Sequence, residues 1–258
     1  MDRKKRQEIR YLVKIREDYQ KMRIATDNRL SKKADDSDQS KLSIDYEGID
    51  ALDLVDIKEA TKDIEKQLDK KIAKALKGVP VYEQFLKNVK GLGPSLSAVL
   101  ISEIDIEKAT NVSKIWQYAG MNAGLVRGKK KEGDDIILTD DLIRGDKLTA
   151  GYLAPYNKFL KTKLLGVMAD CFIKARSPYT EYYYNYKARL EQSEKPVNGD
   201  TSKHWKDETP AHRNNAAKRY MIKMFLIDLY RNWRKIDGYC VRNLYQEEYL
   251  GHKHEEAI

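Results

Sequence analysis

Residues 89–101 read Val-Lys-Gly-Leu-Gly-Pro-Ser-Leu-Ser-Ala-Val-Leu-Ile, and this stretch limits the possible folds more than any other. Gly91 and Gly93 have access to positive φ and leave no side chain in the way. Pro94 has the fixed φ and missing N–H that suit the first position of a helix, and the apolar residues behind it carry that helix into a core. The pattern predicts a helix-hairpin-helix. The free amides at the start of its second helix point outward, with the positive end of the dipole behind them, toward an anion. A tight helix–helix turn with no ligand is the plain alternative.

Charge narrows the choice of anion. The chain has 258 residues, a net charge of +9 and a pI near 9.2, which points to nucleic acid or an acidic surface as partner. The expected anion is a nucleic-acid backbone phosphate. Lys90, Gly91, Leu92, Gly93 and Ser95 are the candidate nucleic-acid contacts of the hairpin: the amides of Leu92, Gly93 and Ser95 hold the phosphate, and Lys90 and the Ser95 hydroxyl assist. Such a contact positions a protein and reads no sequence. The length suits one large domain or two small ones, and 41% hydrophobic residues suffice for a core. No apolar run approaches the ~18 residues of a membrane span. Met1-Asp2-Arg3-Lys4-Lys5-Arg6 has no apolar run behind it like that of a signal peptide. Cys171 and Cys240 are too few and too far apart for a disulfide framework or a metal knuckle. A reducing cytoplasm is the expected compartment.

The charge is unevenly spread. Residues 1–33 carry 12 Lys/Arg against 5 Asp/Glu, and residues 34–70 carry 5 against 12, so the whole excess lies in 71–258. Leu12, Ile15, Tyr19 and Met22 recur at helical spacing, as do Leu54, Ile57, Thr61, Ile64, Leu68 and Ala75. The polar stretch Ser31–Ser40 lies between them. The reading is an antiparallel coiled-coil hairpin of one basic and one acidic helix. Its role is either a spacer or a dimerisation arm. Gly78-Val79-Pro80 breaks it.

Downstream, the pattern predicts a short helix over 81–89, the second hairpin helix from Pro94 to about Ile104, and a helix over Lys114–Ala119 capped by Ser113 and ended by Gly120. Residues 121–151 read as a long loop or a small β-ribbon. They hold Arg127 and Lys129-Lys130-Lys131, which either track a phosphate strand or form a solvated face. Residues 152–176 read as helix, and Ser177-Pro178 opens another to about Leu190. Residues 193–208 read as loop, and Thr209-Pro210 opens a last helix to about Ile236. Apolar residues cover most of that helix's circumference, so it is expected at the centre of the core. Arg213, Lys218, Arg219 and Lys223 make its first turns basic, and Arg213, Lys218 and Arg219 join the candidate nucleic-acid contacts.

Other constellations are weaker. Tyr179, Tyr182, Tyr183 and Tyr186 share one helix face and read as a core stripe, or as a base-stacking surface if the rings reach solvent. Asp134, Asp135, Asp140 and Asp141 flank Ile136-Ile137-Leu138 without a third metal ligand at a recognisable spacing. His252-x-His254 is short of a metal site's ligand count. No metal and no cofactor is expected.

From Val89 to Arg234 the order of features resembles the C-terminal, transposase-twenty domain of the insertion-sequence 110/116/902 transposases. The first matching block is Val89-Lys90-Gly91-Leu92-Gly93-Pro94 with its apolar helix to Glu103-Ile104. The second is Val112-Ser113-Lys114-Ile115-Trp116-Gln117-Tyr118-Ala119-Gly120-Met121. The third joins Phe159–Leu164, Ser177-Pro178-Tyr179 and Tyr182-Tyr183 to the basic, apolar helix around Lys218–Leu226. The resemblance implies DNA binding in transposition or recombination. Full members also carry an RNase-H-like domain with four acids, whereas residues 1–77 read as a helical arm. The family's nucleophilic serine follows its Ala-Gly block, and residues 120–133 contain no serine. No catalytic residue carries over.

The expectation is an all-α chain: a coiled-coil arm over 1–77, a helix-hairpin-helix domain over 78–236 and a tail over 237–258. It binds DNA, with structured RNA left open as the polymer, and forms a homodimer through the arm. The alternatives are an active recombinase completed by a partner chain or a guide RNA, and a structural coiled-coil scaffold.

Overall fold

The charge split at the start of the chain becomes a pair of long helices. In a computed structural model, which describes residues 2–30, 51–197, 200–244 and 251, α1 spans Arg3–Leu30 and α2 spans Ala51–Leu76. Ion pairs join them in antiparallel register: Arg16 to Asp69 at 3.1 Å, Arg23 to Glu65 at 2.6 Å and Lys58 to Asp27 at 2.6 Å. The buried line keeps the expected Thr61 and Leu68 of α2 and elsewhere differs from the expected seam by about one position. On α1 it is Ile9, Val13 and Thr26, while Met22 is half exposed; on α2 it is Thr61, Glu65, Leu68, Ile72 and Leu76, while Ile57 is exposed. Polar residues occupy the middle of the seam because Glu65, 6% exposed, accepts from Arg23 and also lies 3.7 Å from Arg16. The Ser31–Ser40 turn and the Leu54 side chain lie outside the described residues.

The chain divides into two compact units, 1–77 and 78–258. The second unit is mostly helical. Its helices are α3 (Pro80–Gln84), α4 (Pro94–Glu103), α5 (Val112–Tyr118), α6 (Lys158–Lys163), α7 (Ala169–Ala175), α8 (Thr180–Glu191) and α9 (Pro210–Ile236). A π-helical segment, Leu164–Met168, joins α6 to α7. The all-α expectation is corrected by two antiparallel strand pairs, β1 (Leu125–Glu132) with β2 (Asp135–Arg144), and β3 (Pro196–Val197) with β4 (Asp200–His204). The second pair lies where the polar sequence reads as loop. No helix among the described residues is long and apolar enough to cross a membrane.

α9 is the centre of the second unit. Met221, Ile222, Phe225, Leu226, Leu229, Tyr230 and Trp233 are at most 1% exposed, and a fully buried aliphatic or aromatic side chain contributes about 1.5–3 kcal/mol. The tyrosine stripe of α8 packs on α9. Tyr179 donates to the buried Asp228 carboxylate at 2.9 Å, Tyr183 donates to Asn214, and Tyr186 stacks on Tyr220 with centroids 4.4 Å apart.

Local chemistry sets the ends. Thr209 caps α9 as expected, its hydroxyl accepting from the His212 amide at 3.2 Å. Asn111, not Ser113, caps α5. Residues 152–156 are not helical, because Asn157 caps α6; its amide nitrogen also donates to Glu103 on α4 and to the Tyr118 hydroxyl on α5. Ser177 supplies a carbonyl to Thr180 rather than a side-chain cap, and α8 starts at Thr180.

Replacing Glu65 with Ala leaves Arg16 and Arg23 without their shared carboxylate. The expected loss is about 1–3 kcal/mol, because Arg23 is left part-buried without its partner while Arg16 keeps Asp69. Urea denaturation followed by circular dichroism measures it.

Candidate nucleic-acid interface

The glycine turn divides between core and surface. Gly91 has φ +91°, and a Cβ on it would meet the Cys171 carbonyl oxygen at 2.9 Å and the Ala175 Cβ at 3.1 Å on α7. Gly91 is therefore a packing glycine, which corrects its placement among the phosphate-contacting residues. The Leu92 amide is also excluded as a phosphate donor: it donates to the Val89 carbonyl at 3.0 Å, and the Leu92 side chain is buried. Gly93 has φ −81°, a region open to any residue, and a Cβ there meets nothing within 4 Å. It is the exposed N-cap of α4, and no described residue accepts its N–H. Its carbonyl takes both the amide and the hydroxyl of Ser97, at 3.0 and 3.1 Å. Lys90 is exposed, and Ser95 lies half-buried in the first turn. What survives of the expected anion cradle is the Gly93 amide, Ser95 and Lys90.

The basic loop is a ribbon. Lys129 faces Leu138 and Lys131 faces Ile136 across β1 and β2, so these four share one face, while Lys130 and Ile137 occupy the other. Gly133 at φ +61° makes the turn. The register shifts between Arg127 and Lys129, and at the intervening Gly128 a Cβ would lie 2.5 Å from the Tyr152 ring. Tyr152 supports one face: Lys130 lies over its ring at 4.5 Å, and its hydroxyl donates to Asp141 at 2.6 Å. That hydrogen bond, with the Lys130 charge, holds the Asp141 carboxyl below its ordinary range. The outer ribbon is otherwise open, with Ile136 65% and Leu138 54% exposed. Arg127, Lys129 and Lys131 are exposed; Arg127 reaches Asp140 only at 4.0 Å. Among the described residues no group of three or more His, Cys, Asp or Glu could hold a metal ion, and His252 and His254 lie outside them.

The basic start of α9 is mostly engaged. Arg213 is partly engaged: one of its terminal nitrogens donates to the carbonyls of Lys206 and Glu208 at 2.9 and 2.5 Å, while its Nε is buried without a partner. Lys218 pairs with Asp170 at 2.5 Å. Arg219 turns to Asp146, 3.1 Å away, which also receives two hydrogen bonds from Arg144. Asp146 is 3% exposed. Burial opposes its ionisation, but the Arg144 hydrogen bond and the charges of Arg144, Arg219 and Lys161 outweigh burial and hold the carboxyl below its ordinary range. The sequence singled out neither Asp146 nor Lys161, and the one available signal was the i, i+4 spacing of Arg219 and Lys223 on α9.

Compared with family models, with curated proteins and with solved structures, the chain matches none. The likeness to the insertion-sequence transposases rests on its three residue blocks alone.

Two stability measurements separate these roles. Gly91→Ala is expected to lose about 2–4 kcal/mol through left-handed strain and overpacking, and Gly93→Ala less than about 1 kcal/mol, both read by chemical denaturation. Because the Asp146 pKa is depressed on folding, its ionised form stabilises the fold above the unfolded value near 3.9, and that contribution is lost as pH falls through the lower folded value. Asp146→Asn is expected to cost about 2–4 kcal/mol at neutral pH, short of the full loss for a buried pair because Arg144 and Arg219 keep about a third of their surface in water. The gap from wild type narrows across that acid window, as thermal melts between pH 3 and 7 would record.

Proposed function

We propose that this chain binds nucleic acid, DNA first, through backbone phosphates, as a non-catalytic component of a transposition or recombination system. The observation that carries the reading is the open ribbon. Arg127, Lys129 and Lys131 stand exposed along one strand, with Ile136 and Leu138 exposed opposite the two lysines. A two-stranded ribbon fits the major groove of B-form DNA, where aliphatic side chains meet thymine methyls and cations meet phosphates. Glu132, Asp134 and Asp135 lie at and beside the turn, so contact runs along the flank of β1 rather than through the tip.

The segment from α3 through α4 acts in this reading as a helix-hairpin-helix whose second helix offers the Gly93 amide, with Ser95 and Lys90 beside it. α1 and α2 act as a coiled-coil arm through which two copies pair. The mobile-element setting comes from the resemblance to the transposase-twenty domain, and the absence of a serine over 120–133 favours binding without strand cleavage.

Two variants test the binding reading by fluorescence anisotropy across duplex, junction, single-strand and hairpin-RNA probes. Arg127→Gln with Lys129→Gln and Lys131→Gln is expected to weaken duplex binding ten- to a hundredfold and to flatten the log-affinity against log-salt slope by about 2–3. Gly93→Asp places a favoured N-cap carboxylate where the phosphate would sit, so it keeps or raises the melting temperature while weakening binding about tenfold. Wild-type binding without salt dependence, or unchanged affinity in both variants, overturns the reading.

A further inference from the structure

We propose that Lys161, Arg219, Lys223 and the Trp116 indole form a binding site for a phosphate group at the foot of the β1–β2 ribbon. Four cations surround a single carboxylate there. Arg144 and Arg219 both bond to Asp146, Lys161 donates to the Asp146 carbonyl at 2.5 Å, and Lys223 feels the charges of Arg219 and Asp146. One aspartate does not balance four partly buried cations, and an anion would offset the remaining charge.

The donors are incompletely used. Lys223 is half-buried over the Trp116 ring, 4.8 Å from its centroid, and makes no hydrogen bond or ion pair to any described residue. The Trp116 Nε1 and the Arg219 Nε are both buried without a partner. Lys161 rests over the Tyr156 ring at 4.2 Å, and the backbone carbonyl of Asp146 takes one of its three donors. Buried donors in folded proteins are nearly always paired, so two buried orphans, Trp116 Nε1 and Arg219 Nε, beside an ammonium without a bonded partner point to an absent acceptor. A guanidinium, two ammonium groups and an indole N–H, all donors, match the several acceptor oxygens and multiple charge of a phosphate. Burial, then the charge of Arg219, holds both lysines below their ordinary range, a strain that an anion relieves.

The site does not depend on the hairpin or on the ribbon's outer face. The phosphate is either free or part of a nucleic-acid backbone. The test uses the full chain and inorganic phosphate, with chloride at equal ionic strength as reference, read by thermal shift and titration calorimetry. Phosphate is expected to bind and raise the melting temperature. Lys223→Met and Trp116→Phe are each expected to weaken binding at least tenfold, while Lys235→Met, on the exposed last turn of α9, leaves it unchanged. Lys223→Met keeps the packing on Trp116; should it fail to fold, Trp116→Phe, which keeps the ring and removes only the N–H, carries the test. Phosphate indistinguishable from chloride, or equal binding in folded Lys223→Met and Trp116→Phe, overturns the proposal. Duplex DNA then identifies the source: a backbone phosphate gives weaker DNA binding in Lys223→Met and competition by free phosphate, whereas a free phosphate gives neither. Loss of DNA binding in the ribbon variant with the phosphate shift intact, or the reverse, separates this site from the proposed function.

Discussion

Burial of α9 on all sides is the constraint from which the second unit follows. A helix with Phe225, Tyr230 and Trp233 removed from water must be surrounded, and α3, α5, α7 and α8 all pack against it. Two of its buried polar side chains, Asp228 and Arg234, are satisfied by nearby segments. Asp228 accepts from Tyr179, which precedes α8, and Arg234 donates to the carbonyls of Ile106, Ala109 and Cys240. Arg234 thus ties the turn after α4 and the chain beyond α9 to the same helix. Buried hydrogen bonds of this kind are costly to break because the stranded group loses both protein and water partners.

The glycine turn shows how one motif serves two purposes. Gly91 lies against the α7 backbone, where a Cβ would collide with a carbonyl oxygen. Gly93, two residues on, faces open space and starts α4. A sequence motif records that both positions are small. It does not record that one is small for packing while the other leaves room in front of a helix.

Much of the helical layout was legible. Thr209-Pro210 marks the start of α9, and Pro94 marks the start of α4, because caps and N1 prolines act within one turn of chain. The continuous apolar circumference of α9 announced its central place. Thr61 and Leu68 of the expected seam are buried, but elsewhere the α1–α2 line shifts by about a position, because the charged Glu65 occupies it and periodicity counts apolar residues. The candidate phosphate site was not legible, since Trp116, Asp146, Lys161 and Arg219 come from four separate segments.

The amino-acid order by itself determined most of the helical segments, where several begin, and that the last helix must be enclosed, since these depend on local backbone preferences and on side-chain periodicity. The tertiary structure alone decided which basic residues stay available. Arg213 gives one terminal nitrogen to backbone carbonyls, Lys218 pairs with Asp170, Arg219 shares Asp146 with Arg144, and Arg127, Lys129 and Lys131 remain open on the ribbon. A cation's partner is set by distance in space, and no spacing along the chain encodes it.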